Sequence, residues 1–212
     1  MQRNPLSLTV AFWDYDRTMP IADGRIGIEG CTPNCIILPP EVTFVRAFAS
    51  ADFDICELSL SRQAQAIANG TNRYGAIPIF PSRTFRHSSI YIRSDRGIEV
   101  PSDLKGRRIG LRNFDDTAAV IVRGLLRDEY GVGRSDITWV IGDVDEPQRR
   151  SIERPTVSSD VKIEVLSHGD SLNASLASGH IDGMIGLLPP KIMSATDAPV
   201  RRLFPDWRAA ER

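Results

Sequence analysis

The stretch RIGLRNFDDTAAVIVRGLLRDEYGVGRSDITWVI, from Arg108 to Ile141, decides the fold. Arg108 to Leu111 is a strand-forming run. Between Thr117 and Tyr130, Ala118, Ile121, Val122, Leu125 and Leu126 recur at intervals that gather them on one face of a helix. Gly131 and Gly133 end that helix, and Ile137 to Ile141 is strand-like again. A strand, a helix and a strand in succession predict a layered α/β fold rather than a helical bundle or a sandwich.

The alternation extends in both directions. Upstream, Leu6 to Trp13 reads as a first strand and Cys35 to Leu38 as a short one that Pro39 and Pro40 end. Val42, Val45, Phe48 and Ala49 fall at helical spacing, so a helix is expected over Glu41 to Ser50. Phe53 to Leu58 reads as a strand, Ser61 to Asn69 as a helix stopped by Gly70, and Ile77 to Phe80 and Ser89 to Arg93 as two more strands. Downstream, Gly142 to Asp160 is polar and rich in Pro and Arg, as in an exposed excursion. Strands over Lys162 to Leu166 and Met184 to Leu188 flank a helix over Leu172 to Ser178. Asp95 to Lys105 holds Gly97 and Pro101 and reads as the crossing between lobes. The expected division is a first lobe over residues 1-94, a second over 95-188, and the start of a return toward the first over 189-212.

Composition excludes several classes of function. A net charge of -1 and a pI near 6.3 leave no electrostatic footprint for nucleic acid or an anionic membrane. No apolar run approaches the roughly 20 residues that span a bilayer. Met1 to Pro5 runs straight into the alternating stretch Leu6 to Phe12 without a cleavage site, so no secretory signal and a cytoplasmic location are expected. Cys31, Cys35 and Cys56 are odd in number and lack a second Cys or His pair nearby, which argues for structural thiols and no metal site. Nucleophile-elbow, phosphate-loop and His-Glu-x-x-His motifs are absent, and the spacing of Gly24, Gly27 and Gly30 is not that of a dinucleotide fingerprint.

Several strings, taken in order, carry a more specific signal. They are Trp13-Asp14-Tyr15-Asp16-Arg17-Thr18, Leu38 to Phe44, Phe53 to Ser61, Ile77 to Ser88, Asp103 to Gly110, Thr117 to Val120 with Arg123-Gly124, Asp128 to Val132, and Arg202 to Asp206. Together they resemble the 4,5-dihydroxyphthalate decarboxylase family. Asp103 to Gly110 alone is common among solute-binding proteins, whereas Ile77 to Ser88 is far more specific. The resemblance implies a two-lobed α/β fold built like the type II periplasmic solute-binding proteins, with mixed sheets flanked by helices. The family runs on for roughly a hundred residues after the segment matching Arg202 to Asp206, a size usual for two lobes. The resemblance therefore implies a C-terminal return that is incomplete here. The chain also departs from the family at Asp115-Asp116, acidic residues that would oppose an anionic ligand if they faced it and that read more simply as helix caps.

The activity implied is cofactor-independent decarboxylation of an aromatic ortho-dicarboxylate. A hydroxyl para to the carboxylate lets the ring take up the electrons of the breaking bond, so no cofactor is required. Guanidinium groups suit carboxylates, which makes Arg17, Arg83 and Arg86 substrate-binding candidates in loops at strand ends. Tyr15, Ser59, Ser61 and Thr117 are further binding candidates, the last three near helix starts. His87 is the candidate general acid because imidazole titrates near neutrality, and Asp16 and Glu57 would tune it or polarise the phenol. Each also has a plainer role: surface charge for the arginines, capping for the serines, a loop hydrogen bond for His87. The partner expected is a small acidic aromatic ligand, without nucleic acid or membrane, and with a homo-oligomer not excluded. Two other readings stay open: a binding module that captures a small organic acid for an ABC-type transporter, and an inactive truncated relative.

Overall fold

Leu6–Phe12 alternates apolar and small polar residues and forms strand β1, whose last three residues are buried. It pairs in parallel with β2 (Cys31–Ile37) and β3 (Ile55–Cys56), in the order β2-β1-β3. The segment β2 begins earlier than the expected Cys35, because it pairs with β1 on one side alone and such an edge position tolerates Pro33. Helix α1 (Met19–Ala22) follows β1, α2 (Pro40–Ser50) opens on Pro39-Pro40 and α3 (Leu60–Ala68) follows β3. The apolar cluster here is small: Ala11, Ala47 and Phe53 are its buried members.

The computed structural model describes residues 4–147, 152, 154–195 and 197–212. It divides into two compact units, Met1–Thr84 and Phe85–Arg212. The division falls before the expected crossing at Asp95 to Lys105. The reason is β4 (Ile90–Arg93), which the sequence reading assigned to the first lobe. Its antiparallel partners are β8 (Gly183–Ile185) and β9 (Val200–Arg202), strands of the second unit. Residues expected to start a return likewise belong to the second unit, where β9 and α6 (Trp207–Ala210) lie.

The second sheet is six-stranded and mixed, in the order β7-β6-β5-β8-β4-β9. The strands β5 (Arg108–Leu111), β6 (Thr138–Ile141), β7 (Lys162–Val165) and β8 run in parallel. Helices α4 (Thr117–Tyr130) and α5 (Leu172–Ser178) have the bounds read from sequence. Alternate residues of one strand enter different apolar clusters: Trp139 and Ile141 join Val122 and Leu126, while Val140 joins Leu172 and Leu176. Both faces of the sheet are thus covered, as a largely parallel sheet requires.

Ile77 to Phe80 is not a strand. Pro78 and Pro81 remove backbone donors, the Ile79 amide turns back to the Ile77 carbonyl, and Ile77, Ile79 and Phe80 are exposed. The excursion expected over Gly142 to Asp160 lies partly outside the described residues, and its described part holds neither helix nor strand. No helix of the described residues is long and apolar enough to cross a membrane.

Gly183 sits between β4 and β5, where a Cβ would lie 2.5 Å from the Tyr91 carbonyl oxygen. That neighbour is backbone and cannot swing aside. Gly183→Ala is expected to destabilise the second unit by about 2 kcal/mol, the usual scale of overpacking. A urea midpoint equal to that of the parent would contradict this.

Candidate functional site

The first sheet has a topological switch. The chain passes from β1 to β2 on one side and then crosses to β3 on the other, and in open α/β sheets such a switch point is where a ligand crevice falls, at the carboxyl ends of the strands, here β1 and β3. Trp13 to Thr18 leaves β1 at that point, and Glu57 to Ser61 leaves β3. The structure brings the two loops together through one side chain. Glu57, only 8% exposed, accepts the Trp13 amide N–H on Oε1 at 2.8 Å and the Tyr15 hydroxyl on Oε2 at 2.9 Å. The first bond takes the place of a ladder carbonyl where the short β3 ends.

Burial pushes the Glu57 carboxyl above its ordinary value, and the hydrogen bonds from Tyr15 and Trp13 pull against that. Burial, with the hydrogen bond and charge of Glu57, pushes the Tyr15 phenol up to about 12, against the pull of Ser82 and Arg17. The Arg17 guanidinium lies over the Tyr15 ring, 5.3 Å from its centroid, and its Nε donates to the Pro81 carbonyl at 2.7 Å. A third segment, Pro81-Ser82, is thereby tied to the same crevice. Ser59 is buried and its hydroxyl lies 3.2 Å from that of Ser61. It occupies the N-cap position of α3 without a side-chain capping bond, so capping does not account for it.

The remaining candidates stand elsewhere. Asp16 is nearly fully exposed beside Arg17; it lies in the first unit, and His87, which it was expected to tune, in the second. Arg83 is exposed and bonds the nearby Phe80 carbonyl at 3.3 Å. Arg17 and Arg83 fall in the first unit, Arg86 and His87 in the second.

The surroundings of His87 do not support the proton-donor role expected of it. Its ring is 2% exposed, with Nδ1 2.8 Å from Glu211 Oε2 and Nε2 2.9 Å from the Tyr130 hydroxyl. An ionised carboxylate only accepts, so Nδ1 carries a proton, and in the neutral ring Nε2 accepts from Tyr130. Both nitrogens are engaged, and Phe204 packs edge-on against the ring at 4.7 Å. The Glu211 carboxylate also accepts the backbone N–H groups of Arg86 and His87, at 3.0 and 2.9 Å. His87 is therefore a pin that fixes the C-terminal segment within its unit. Arg86 shares that bracket through its amide. Its guanidinium is half-buried, with pKa pushed down by desolvation against the charge of Glu211.

Thr117 opens α4 after β5, in the second unit. Asp116 takes the N-cap position, as the capping reading expects, but without a side-chain capping hydrogen bond. The Asn113 amide lies 3.3 Å from both its carboxylate oxygens instead. Sequence reasoning missed Ser82, Tyr130 and Glu211. Ser82 lay inside the specific string Ile77 to Ser88, but charge drew attention to its neighbour Arg83. Nothing local marks Glu211 as the partner of a residue so far back in the chain.

Among the described residues no group of three or more His, Cys, Asp or Glu side chains could hold a metal ion. No protein-family model matches the chain. Two curated 4,5-dihydroxyphthalate decarboxylases are similar to it. The one from Comamonas testosteroni is 45% identical over 205 residues, which are 97% of this chain and 62% of that protein. The one from Pseudomonas putida is 43% identical over 207 residues, 98% of this chain and 80% of that protein. The chain thus spans less than two thirds of the first relative's length. Among solved structures, the periplasmic aliphatic sulphonate binding protein of Escherichia coli matches with a TM-score of 0.54 at 15% identity, over 94% of this chain and 60% of that one. The alkanesulfonate-binding protein of Xanthomonas axonopodis pv. citri, bound to MOPS, gives 0.51 at 16%, over 95% and 61%. At such identity the likeness speaks for the fold alone, which is the periplasmic-binding-protein type expected from the sequence.

Proposed function

The chain belongs to the 4,5-dihydroxyphthalate decarboxylase family, and from that premise we propose that it removes carbon dioxide from an aromatic ortho-dicarboxylate such as 4,5-dihydroxyphthalate. The observation that carries this reading is the Glu57–Tyr15 pair, a buried carboxylate and a phenol set across the switch point of the first sheet. Arg17 beside them supplies a guanidinium for a ring carboxylate, and Ser59 and Ser61 supply hydroxyls at the start of α3. The ring is its own electron sink: protonation of the carbon bearing the carboxylate gives a dienone that regains aromaticity as carbon dioxide leaves, without a cofactor.

A transporter's binding module is the weaker reading. The chain is 43–45% identical to decarboxylases, whereas its similarity to sulphonate-binding proteins is 15–16% and concerns the fold. On the decarboxylase reading the protein works in the cytoplasm, supported by Cys31, Cys35 and Cys56, which are free and half-buried as suits a reducing compartment.

Purified protein incubated with 4,5-dihydroxyphthalate is expected to release carbon dioxide and 3,4-dihydroxybenzoate. Tight binding without turnover would support the binding module instead. Arg17→Ala is expected to weaken binding of phthalate, an unreactive analogue, about 10- to 100-fold, the worth of a charge-assisted hydrogen bond. An unchanged Kd by calorimetry would remove Arg17 from the site.

A further inference from the structure

We infer that Tyr15 and Glu57 form a proton relay: the Tyr15 oxygen takes the phenolic proton of the bound ring while its own proton passes to Glu57. This rests on the decarboxylase reading above. The direction follows from the hydrogen bonds. The ionised Glu57 can only accept, so the Tyr15 hydroxyl points its proton inward along the 2.9 Å contact. The lone pairs of Tyr15 face outward, where the Ser82 side chain already bonds one of them, and a guest meeting the other must donate. Tyr15 is thus a base toward the ligand, not an anion-binding donor.

Two further observations fit the assignment. A carboxyl in a buried setting holds a proton more readily than one in water, which suits Glu57 to receive one. A purely structural clamp between β1 and β3 is also complete without Tyr15, because the Trp13 amide already bonds Glu57 at 2.8 Å. The phenol arm is surplus to that clamp.

The chemistry balances as follows. The substrate O–H bond breaks, a Tyr15 O–H forms, the former Tyr15 O–H breaks and a Glu57 O–H forms, leaving a phenolate para to a carboxylate. That phenolate raises electron density at the ring carbon carrying the carboxylate, which takes a proton from water and leaves hydroxide. The carbon–carbon bond breaks, its electron pair restores the ring, carbon dioxide departs, and the Glu57 proton returns through Tyr15 to the phenolate oxygen. The sum is substrate carboxylate plus water giving product, carbon dioxide and hydroxide.

The test measures kcat on 4,5-dihydroxyphthalate from about pH 5 to about pH 9, with phthalate affinity and melting temperature, for the parent, Tyr15→Phe and Glu57→Gln. Tyr15→Phe is expected to lower kcat by about 10²- to 10⁴-fold, the range of general acid–base catalysis, while phthalate affinity stays within about threefold. Glu57→Gln is expected to lose the fall in kcat at acid pH that the parent shows. A second readout needs neither turnover nor that variant. The phenolate absorbance of bound 3,4-dihydroxybenzoate should appear at lower pH on the parent than on Tyr15→Phe. Unchanged kcat in Tyr15→Phe, a retained acid limb in Glu57→Gln, or identical ligand spectra would overturn the relay while leaving the decarboxylase reading intact. A parent that neither binds phthalate nor turns over substrate would remove the decarboxylase reading first.

Discussion

Glu211→Ala is expected to lower the melting temperature of the second unit by about 10 °C, from a loss of about 3 kcal/mol at roughly 2–4 °C per kcal/mol for a chain of this size. The reason is the number of donors that one carboxylate satisfies: the Arg86 amide, the His87 amide and His87 Nδ1. Each orphaned donor away from water costs about 1–3 kcal/mol, and the sum is discounted because the bracket lies partly open to solvent. Phe85 against Trp207, with ring centroids 5.3 Å apart, holds the same two segments but replaces none of those bonds. Glu211→Gln keeps one acceptor oxygen and should lose about half as much.

The same carboxylate gives a pH dependence. Burial alone would push Glu211 up, but the backbone amides of Arg86 and His87 and the His87 ring outweigh it and hold the carboxyl below its ordinary value. Its contribution is therefore complete above the unfolded glutamate pKa and disappears as pH falls through the lower folded value. In the parent, hydrogen exchange at the Arg86 and His87 amides should accelerate over that acid window. Alanine at 211 should make exchange fast at neutral pH too. Melting temperatures of parent and variant within about 2 °C of each other, less than 1 kcal/mol apart, would refute the bracket.

Trp139→Ala is expected to cost about 3–5 kcal/mol, the scale for removing a large aromatic from a core. Trp139 is 1% exposed, its indole N–H donates to the Arg134 carbonyl at 2.8 Å, and Phe114 meets its ring edge-on at 6.3 Å. Arg123 lies with its guanidinium 3.8 Å from the Phe114 centroid and 5.7 Å from that of Trp139, and desolvation lowers its pKa to about 10. Removing the indole opens a cavity beneath a half-buried cation as well as orphaning a carbonyl. Trp139→Phe retains part of the volume and should lose visibly less. A denaturant midpoint for Trp139→Ala that implies less than about 1 kcal/mol would mean the site collapses freely, contrary to the packing described.

The helices α4 and α5 were legible to the residue because their apolar spacing and their glycine stops are local signals. The candidate site was legible in part. Tyr15, Arg17, Glu57, Ser59 and Ser61 could be named because polar residues following a buried-looking strand are unusual, and the fold puts such residues at strand ends. Arg83 and Asp16 were named on the same reasoning, and His87 on the chemistry of its imidazole. Two of them stand exposed and the third is enclosed by its own partners. Ile77 to Phe80 looked like a strand by composition, although two prolines deny it the donors that a ladder needs.

The sequence by itself determined the α/β class, the main helices and strands, and the family, because periodicity and motif order are written in neighbouring residues. Tertiary structure alone decided that β4 serves the second sheet, that Glu57 meets Tyr15 from 42 positions away, and that Glu211 claims His87 from 124. Periodicity records which face a residue presents. Which distant group it meets depends on how the chain crosses between strands, and no local preference encodes that.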